Sequence, residues 1–118
     1  MSQVHDKAFD FAVRIVKLTK YLKYTKKELY MADQLLRCGT SIGANLAEAA
    51  SAMSKKDFLA KAYISFKECS ETKFWLKVLY TTDYLTDEEY NSINADCIEL
   101  QKLLSAITKT TRNNLGQD

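Results

Sequence analysis

The sequence has no proline and only three glycines among its 118 residues. A β-sheet protein of this length usually needs more of both residue types, because its tight turns depend on them. Their scarcity favours a few long helices with few connections. Apolar residues make up 47% of the chain, an ordinary fraction for a globular protein. We expect a single domain over residues 1–118, with a modest core.

Residues that carry catalytic or metal chemistry are also scarce. The cysteines, Cys38, Cys69 and Cys97, are odd in number and far apart, which fits neither a disulfide framework nor a zinc site. We expect three reduced, buried thiols. The one histidine, His5, is far from Ser41 in sequence, so a catalytic serine is not indicated. A ferritin-type di-metal site needs Glu-x-x-His pairs, which the sequence lacks. We therefore expect no enzyme activity, no metal and no cofactor.

Long hydrophobic runs are missing as well. No apolar run approaches the roughly 18 residues that a membrane-spanning helix needs. The N-terminal stretch MSQVHDKAFDFAV is polar and amphipathic, unlike a secretory signal. We therefore expect a cytoplasmic protein without a role at a membrane.

Three stretches have the pattern of a helix start, a hydroxyl residue followed three positions later by an acid. They are Thr25 to Glu28, Ser54 to Asp57 and Thr86 to Glu89. In such a capping box the hydroxyl accepts a hydrogen bond from a free backbone N–H, and the acid reaches back to the cap. Each of the three opens a segment with helical apolar spacing, so together they divide the chain into helices.

Apolar residues recur every three or four positions in all four segments, as in side-by-side helices. We predict helices at about 4–24, 26–52, 55–84 and 87–110, with a frayed tail over 111–118. The predicted core positions are Val4, Ala8, Phe11, Ile15, Leu18, Leu22, Leu35, Cys38, Ile42, Leu46, Ala49, Met53, Phe58, Ala62, Ser65, Cys69, Thr72, Leu76, Leu79, Tyr90, Ile93, Cys97, Leu100, Leu104 and Ile107. Because the links are short, the fold class is all-α, an antiparallel up-and-down four-helix bundle.

The stretch QLLRCGTSIGANLAEAA lies inside the predicted second helix. It lacks the Gly-Lys-Ser/Thr ending of a phosphate loop, and no strand precedes it. Beside the core face it has a groove of small residues, Gly39, Gly43 and Ala47. A glycine inside a helix costs about 1 kcal/mol relative to alanine, so close packing of another backbone must compensate for the two glycines. The third face is a polar strip of Gln34, Arg37, Ser41, Asn45 and Glu48.

Charge is almost absent from this helix, since only Arg37 and Glu48 are charged from Leu35 to Met53. A solvent-facing helix would be expected to carry Lys and Glu, so the helix is predicted to be covered on most sides. A lone four-helix bundle leaves the outer face of each helix open. We therefore expect another copy of the chain to cover it.

The third helix carries a matching polar strip that includes Glu68, Glu71 and Trp75. We expect Arg37 to pair with Glu68 or Glu71, and Ser41 and Asn45 to satisfy the remaining hydrogen bonds. The predicted set for an oligomer interface or a structural polar network is Gln34, Arg37, Gly39, Ser41, Gly43, Asn45, Ala47, Glu48, Glu68, Glu71 and Trp75.

Two stretches, QLLRCGTSIGANLAEA and KKDFLAKAYISFKECSETKFWLKVL, carry a family resemblance. They resemble the bacterial four-helix-bundle family of 23S ribosomal-RNA intervening-sequence proteins, to which the accessory variability protein of diversity-generating retroelements is related. The resemblance implies a homo-oligomeric ring, typically a pentamer, with a suspected nucleic-acid role and no known enzymatic activity. The sequence departs from the family in two respects. KYTKKE stands where many members have a proline, and the net charge is only +2, whereas the retroelement branch is strongly basic.

The N-terminal segment is basic and suggests a nucleic-acid surface. Residues 1–27 contain seven Lys or Arg and two Asp, whereas residues 85–118 contain six Asp or Glu and three Lys or Arg. Cations neutralise phosphates, tyrosines stack on unpaired bases, and a ring would repeat the patch. The candidate residues for RNA or DNA binding are Lys7, Arg14, Lys17, Lys20, Tyr21, Lys23, Tyr24, Lys26 and Lys27.

Two other interpretations of this surface stay open. The lysines could form a solvated helix face, or the acidic fourth helix could neutralise them. The ring could then serve as a scaffold that docks another protein without any nucleic acid.

Overall fold

The fold consists of four helices that run up and down along one axis. The structure, a computed structural model, describes residues 2–117, and within them it contains four α-helices and no strand: α1 (Ser2–Tyr24), α2 (Tyr30–Ala49), α3 (Lys55–Thr81) and α4 (Asp87–Gln117). Neighbours along the chain pack side by side, α4 packs less closely against α1, and α1 lies diagonally opposite α3. The molecule measures 51 × 22 × 21 Å. The predicted all-α four-helix bundle is confirmed.

The core is formed by the predicted apolar faces. On α1 the side chains of Phe11, Ile15 and Leu22 are fully buried, and the faces of α3 and α4 are buried in the same way. Four of the predicted core residues, Leu18, Phe58, Tyr90 and Ile107, are only partly buried. Met53 was predicted in the core but is 96% exposed. It follows the end of α2 at Ala49, so the helical spacing no longer directs it inward.

Two of the three predicted capping boxes start helices. Thr86 and Glu89 bond each other reciprocally, with Thr86 N donating to Glu89 Oε1 over 2.9 Å and Glu89 N donating to Thr86 Oγ1 over 3.2 Å. Ser54 Oγ accepts from Asp57 N over 3.0 Å at the start of α3. Both are arrangements that satisfy free N–H groups of a first helical turn.

The third capping box, at Thr25, was predicted wrongly. Thr25 N donates to Tyr21 O over 2.9 Å, so this residue completes the last turn of α1. Lys27 follows with a left-handed φ of 59°, and α2 begins only at Tyr30. Glu28 does act in the cap, because its carboxylate accepts from Met31 N over 2.6 Å. Four residues of the predicted helix, 26–29, therefore form a connection.

The predicted frayed tail is largely helical. α4 continues to Gln117, and Asp118 lies outside the described residues. Thr108 is only 5% exposed, and Thr111 Oγ1 donates to Ile107 O over 2.8 Å. Thr111 and Asn114 lie beside His5 and the end of α2, so packing extends the helix beyond its clear sequence period.

Replacing Thr86 by alanine should destabilise the protein by about 1 kcal/mol, because the reciprocal cap of α4 is lost. Thr25→Ala is the matched control and should change the free energy of unfolding little, since Thr25 caps no helix. Urea unfolding followed by circular dichroism measures both changes. Equal losses from the two variants would contradict the assignment of the caps.

Candidate assembly and nucleic-acid surfaces

The space beside the two glycines of α2, Gly39 and Gly43, is occupied by α1 of the same chain. A Cβ placed on Gly39 would lie 2.8 Å from Ile15 Cγ1, and one on Gly43 would lie 3.5 Å from the carbonyl oxygen of Ala8. The sequence predicted that another backbone comes close, which is observed at Gly43 with the backbone of Ala8, whereas the side chain of Ile15 lies against Gly39. It assigned that role to a second copy, which is corrected for Gly39, whereas Gly43 also lines an open surface. The pattern of one helix cannot tell which neighbour fills a groove.

An open groove lies farther out on the same side, between α1 and α2. It encloses about 480 Å³, and its floor includes the small residues Ala12, Gly43, Ala44 and Ala47. Phe9 borders it and is 68% exposed. His5 and Asp6 lie at one end. We call this surface the α1–α2 groove.

An exposed apolar row on α1 continues the groove and was missed in the sequence. Its members are Phe9, Val13 and Val16, of which the two valines are 38% and 36% exposed. The spacing of four and then three residues is the same helical signal that identifies the core face. α1 therefore has two apolar faces, and only one of them is needed for the core of the protomer.

The polar strips of α2 and α3 meet in one network. Arg37 Nη1 lies 3.1 Å from Glu68 Oε2, and Arg37 Nη2 donates to Glu71 Oε2. Trp75 Nε1 donates to the same oxygen of Glu71 over 3.1 Å. One arginine thus bridges two carboxylates, and the second carboxylate also fixes the indole ring.

The remaining members of the predicted polar set lie outside this network. Ser41 Oγ donates to Arg37 O over 2.6 Å, and Asn45 Nδ2 donates to Ser41 O over 2.8 Å, so both bond their own helix. The Glu48 carboxylate is 3.4 Å from Lys61 Nζ. The predicted use of Ser41 and Asn45 in the Arg37 network is therefore corrected. Short polar side chains inside a helix readily bond the carbonyl four residues before them. Gln34 is partly buried on the same helix.

The hydrogen bond from Arg37 lowers the pKa of Glu71 below its ordinary value of 4.5. A carboxyl group with a lower pKa in the folded state stabilises the fold above that ordinary value, and the stabilisation is lost as the pH falls through the folded pKa. Glu71→Gln should therefore lower stability at pH 7 and flatten the fall in stability below about pH 4.5. Urea midpoints from pH 3 to 7 measure this, with Glu88→Gln as an exposed control. An unchanged pH profile would contradict the role of the pair.

Three of the predicted nucleic-acid residues are engaged within the protomer. Lys7 Nζ lies 2.5 Å from Glu99 Oε1, and Arg14 Nη1 lies 2.6 Å from Asp96 Oδ2. Lys23 forms an ion pair with Asp33. The first two pairs join α1 to α4, and the third joins α1 to α2. The alternative in which the acidic fourth helix neutralises the basic face therefore holds for Lys7 and Arg14, whereas Lys23 is neutralised by Asp33 of α2.

The other six candidates lie in the second half of α1 and the connection after it. Among residues 3–116, no carboxylate oxygen lies within 4.0 Å of the ammonium groups of Lys17, Lys20, Lys26 and Lys27. Lys26 Nζ lies 5.9 Å from the ring centre of Tyr21. Tyr24 is 72% exposed. We call Lys17, Lys20, Tyr21, Tyr24, Lys26 and Lys27 the basic end of α1.

Cys38, Cys69 and Cys97 are buried free thiols, as predicted. Burial raises the pKa of Cys38 to about 11, so its reactive thiolate is disfavoured. The hydrogen bond between Cys69 and Cys97, whose sulfur atoms are 3.9 Å apart, raises the pKa of Cys97, as does burial. In the part of the chain that the structure describes, no group of three or more His, Cys, Asp or Glu could hold a metal ion. No helix between residues 2 and 117 has the length and apolar character to cross a bilayer.

Comparison with known proteins identifies a family and a similar solved structure. A family model described as "23S rRNA-intervening sequence protein" matches residues 1–106. A crystal structure of a protein of unknown function from the S23 ribosomal protein family, from Bacteroides thetaiotaomicron, is 52% identical with a TM-score of 0.89. The match covers 90% of this chain and 98% of that one. No curated protein matches the chain.

Proposed function

This chain belongs to the family of 23S rRNA-intervening sequence proteins, and from that premise we propose that it is a cytoplasmic, non-enzymatic subunit of a homo-oligomeric ring. We favour a pentamer, as the family resemblance implies. The ring serves as a nucleic-acid-associated accessory factor, and the basic end of α1 provides the contacts to RNA or DNA.

The α1–α2 groove is the observation that carries the proposal. Phe9, Val13 and Val16 expose apolar surface beside a floor of small side chains. A contiguous apolar patch on a small protein is unfavourable in water and commonly marks an interface. The lysine-poor outer face of α2 adjoins this groove, so one contact with a second copy would cover both.

Light scattering of the purified protein tests the assembly. The wild type should have a mass near five times the protomer mass of 13.5 kDa. Val13→Asp places a charge in the exposed row and should shift the protein to monomer with its helix content intact. Ala95→Asp, a similar change at an exposed position of α4, should leave the mass unchanged. A wild type that stays monomeric at micromolar concentration would refute the proposed ring.

The basic end of α1 supports the nucleic-acid part of the proposal. Its lysines are exposed and its Tyr24 ring is free to stack on an unpaired base. Anisotropy of a labelled single-stranded RNA at several salt concentrations should show binding at low salt. Reversing Lys20, Lys26 and Lys27 to Glu should weaken binding at least tenfold and flatten the slope against log salt. Lys102→Glu, on the exposed face of α4, is the matched control.

The scaffold that docks another protein is the second candidate. The ion pairs of Lys7, Arg14 and Lys23 favour it, because they remove three of the charges that phosphates would need. A wild type that assembles but binds no RNA or DNA at low salt would leave this candidate in place of the first.

A further inference from the structure

A second exposed apolar surface lies on α3. Tyr63, Ile64 and Phe74 are 44%, 40% and 58% exposed, and they follow the outer side of the helix. At about 1.5 Å per residue, the distance from Tyr63 to Phe74 is roughly 16 Å. The row from Phe9 to Val16 on α1 spans roughly 10 Å, and the groove beside α2 lengthens it. The two surfaces are thus similar in length. We call this one the α3 row.

The aromatic rings of the α3 row are held in place although they are exposed. Phe74 contacts Trp75 edge to face, with ring centres 5.1 Å apart at 75°. Trp75 is fixed by its hydrogen bond to Glu71, which Arg37 holds in turn. The network of Arg37, Glu71 and Trp75 therefore holds the exposed ring of Phe74 in position.

At the other end of the row, Tyr63 stacks on Phe66 with ring centres 6.2 Å apart. Lys67 Nζ lies 5.9 Å from the centre of the Tyr63 ring. Rings that are already ordered lose little entropy on binding, which is typical of residues that anchor an interface.

The positions of the two surfaces favour a head-to-tail contact. α1 and α3 are diagonal neighbours, so the α1–α2 groove and the α3 row face away from each other. A two-fold contact of the groove with itself would leave the α3 row in water. A contact of the groove with the α3 row covers both, and its repetition closes a ring when the rotation fits.

Charges at the edges of the two surfaces are complementary. Asp6 and Asp10 are exposed on the first half of α1, and Lys56 and Lys67 are exposed on the first half of α3. No ion pair of these four is found among residues 3–116. Because α1 and α3 run in the same direction, a parallel neighbour would bring the acidic half of one helix beside the lysines of the other.

We infer that the α3 row of one copy, anchored by Phe74 and Tyr63, docks into the α1–α2 groove of the next copy of this chain. The inference rests on the proposed self-assembly and adds the second half of its interface. It also assigns the Arg37–Glu71–Trp75 network a role, which is to hold the anchoring ring in its docking orientation.

Mixing two variants tests the head-to-tail contact. Val13→Asp damages the groove and leaves the α3 row intact, and Phe74→Asp does the reverse. Each should be monomeric alone. An equimolar mixture should form dimers and stop there, because only one undamaged groove can meet one undamaged row. Sedimentation velocity measures the species, with Ala95→Asp as the control that keeps the wild-type mass.

Other outcomes separate this inference from the proposed ring. If the wild type and Phe74→Asp assemble equally while Val13→Asp is monomeric, the α3 row is not the partner surface, although self-assembly stands. A mixture that stays monomeric also overturns the inference. A monomeric wild type overturns the ring itself. Circular dichroism checks that Phe74→Asp is folded, and Tyr63→Asp replaces it if it is not.

Discussion

Gly39→Ala should destabilise the protein by about 1–2 kcal/mol, although alanine is the better helix former. The added Cβ would lie 2.8 Å from Ile15 Cγ1 and 2.9 Å from Ile15 Cγ2. Ile15 is fully buried and cannot swing into solvent, so α1 must move away from α2. Overpacking of this kind typically destabilises a protein by about 1–3 kcal/mol. The higher helix propensity of alanine offsets up to about 1 kcal/mol of that loss. Gly39→Leu should prevent folding.

Gly43→Ala is the matched control one turn later. Its Cβ would lie 3.5 Å from the Ala8 carbonyl oxygen, an ordinary contact, so the gain in helix propensity should stabilise the protein by up to about 1 kcal/mol. Urea unfolding of both variants at one protein concentration gives the comparison, because assembly would add to the free energy of unfolding. Equal changes of the same sign would mean that α1 does not limit space at Gly39.

Phe11→Ala should have the largest effect of any single truncation on α1, about 3–5 kcal/mol. Phe11 is 1% exposed and belongs to the central apolar cluster of all four helices. Its removal loses the transfer free energy of the ring and leaves a cavity that the surrounding helices cannot fully close. A domain of this kind is stable by only about 5–15 kcal/mol, so the variant should be near unfolding at 37 °C.

Tyr24→Ala is the control for this truncation, since it removes a ring of similar size that is 72% exposed. Its effect on the free energy of unfolding should stay within about 0.5 kcal/mol. Thermal unfolding by circular dichroism compares the two. A loss below about 1 kcal/mol for Phe11→Ala would show that the core closes around the missing ring.

The helices and their buried faces could be read from the sequence because they depend on local spacing. Phe11 and Leu100 are buried where the three-and-four period places them. Thr86 and Glu89 form their cap from residues three positions apart, which a sequence displays directly. The same local rule failed at Thr25, because the last turn of α1 competes for the same residue. A capping pattern therefore starts a new helix only where the preceding helix does not already include its first residue.

The candidate surfaces depended more on the tertiary structure. The contact of Arg37 with Glu68 and Glu71 was predictable, because both polar strips belong to adjacent antiparallel helices. The exposed row of Phe9 and Val16 has a helical spacing too, but spacing alone does not say which of two apolar faces turns inward.

The sequence by itself determined four amphipathic helices, their antiparallel order and most of the core, since these follow from contacts between residues three or four apart and from short links. Only the tertiary structure decided that Ile15 fills the space at Gly39, and that Lys7 and Arg14 are neutralised by Glu99 and Asp96. Those partners are 92 and 82 residues apart in the chain. Such pairings depend on how whole helices rotate and pack, and no local pattern records that rotation.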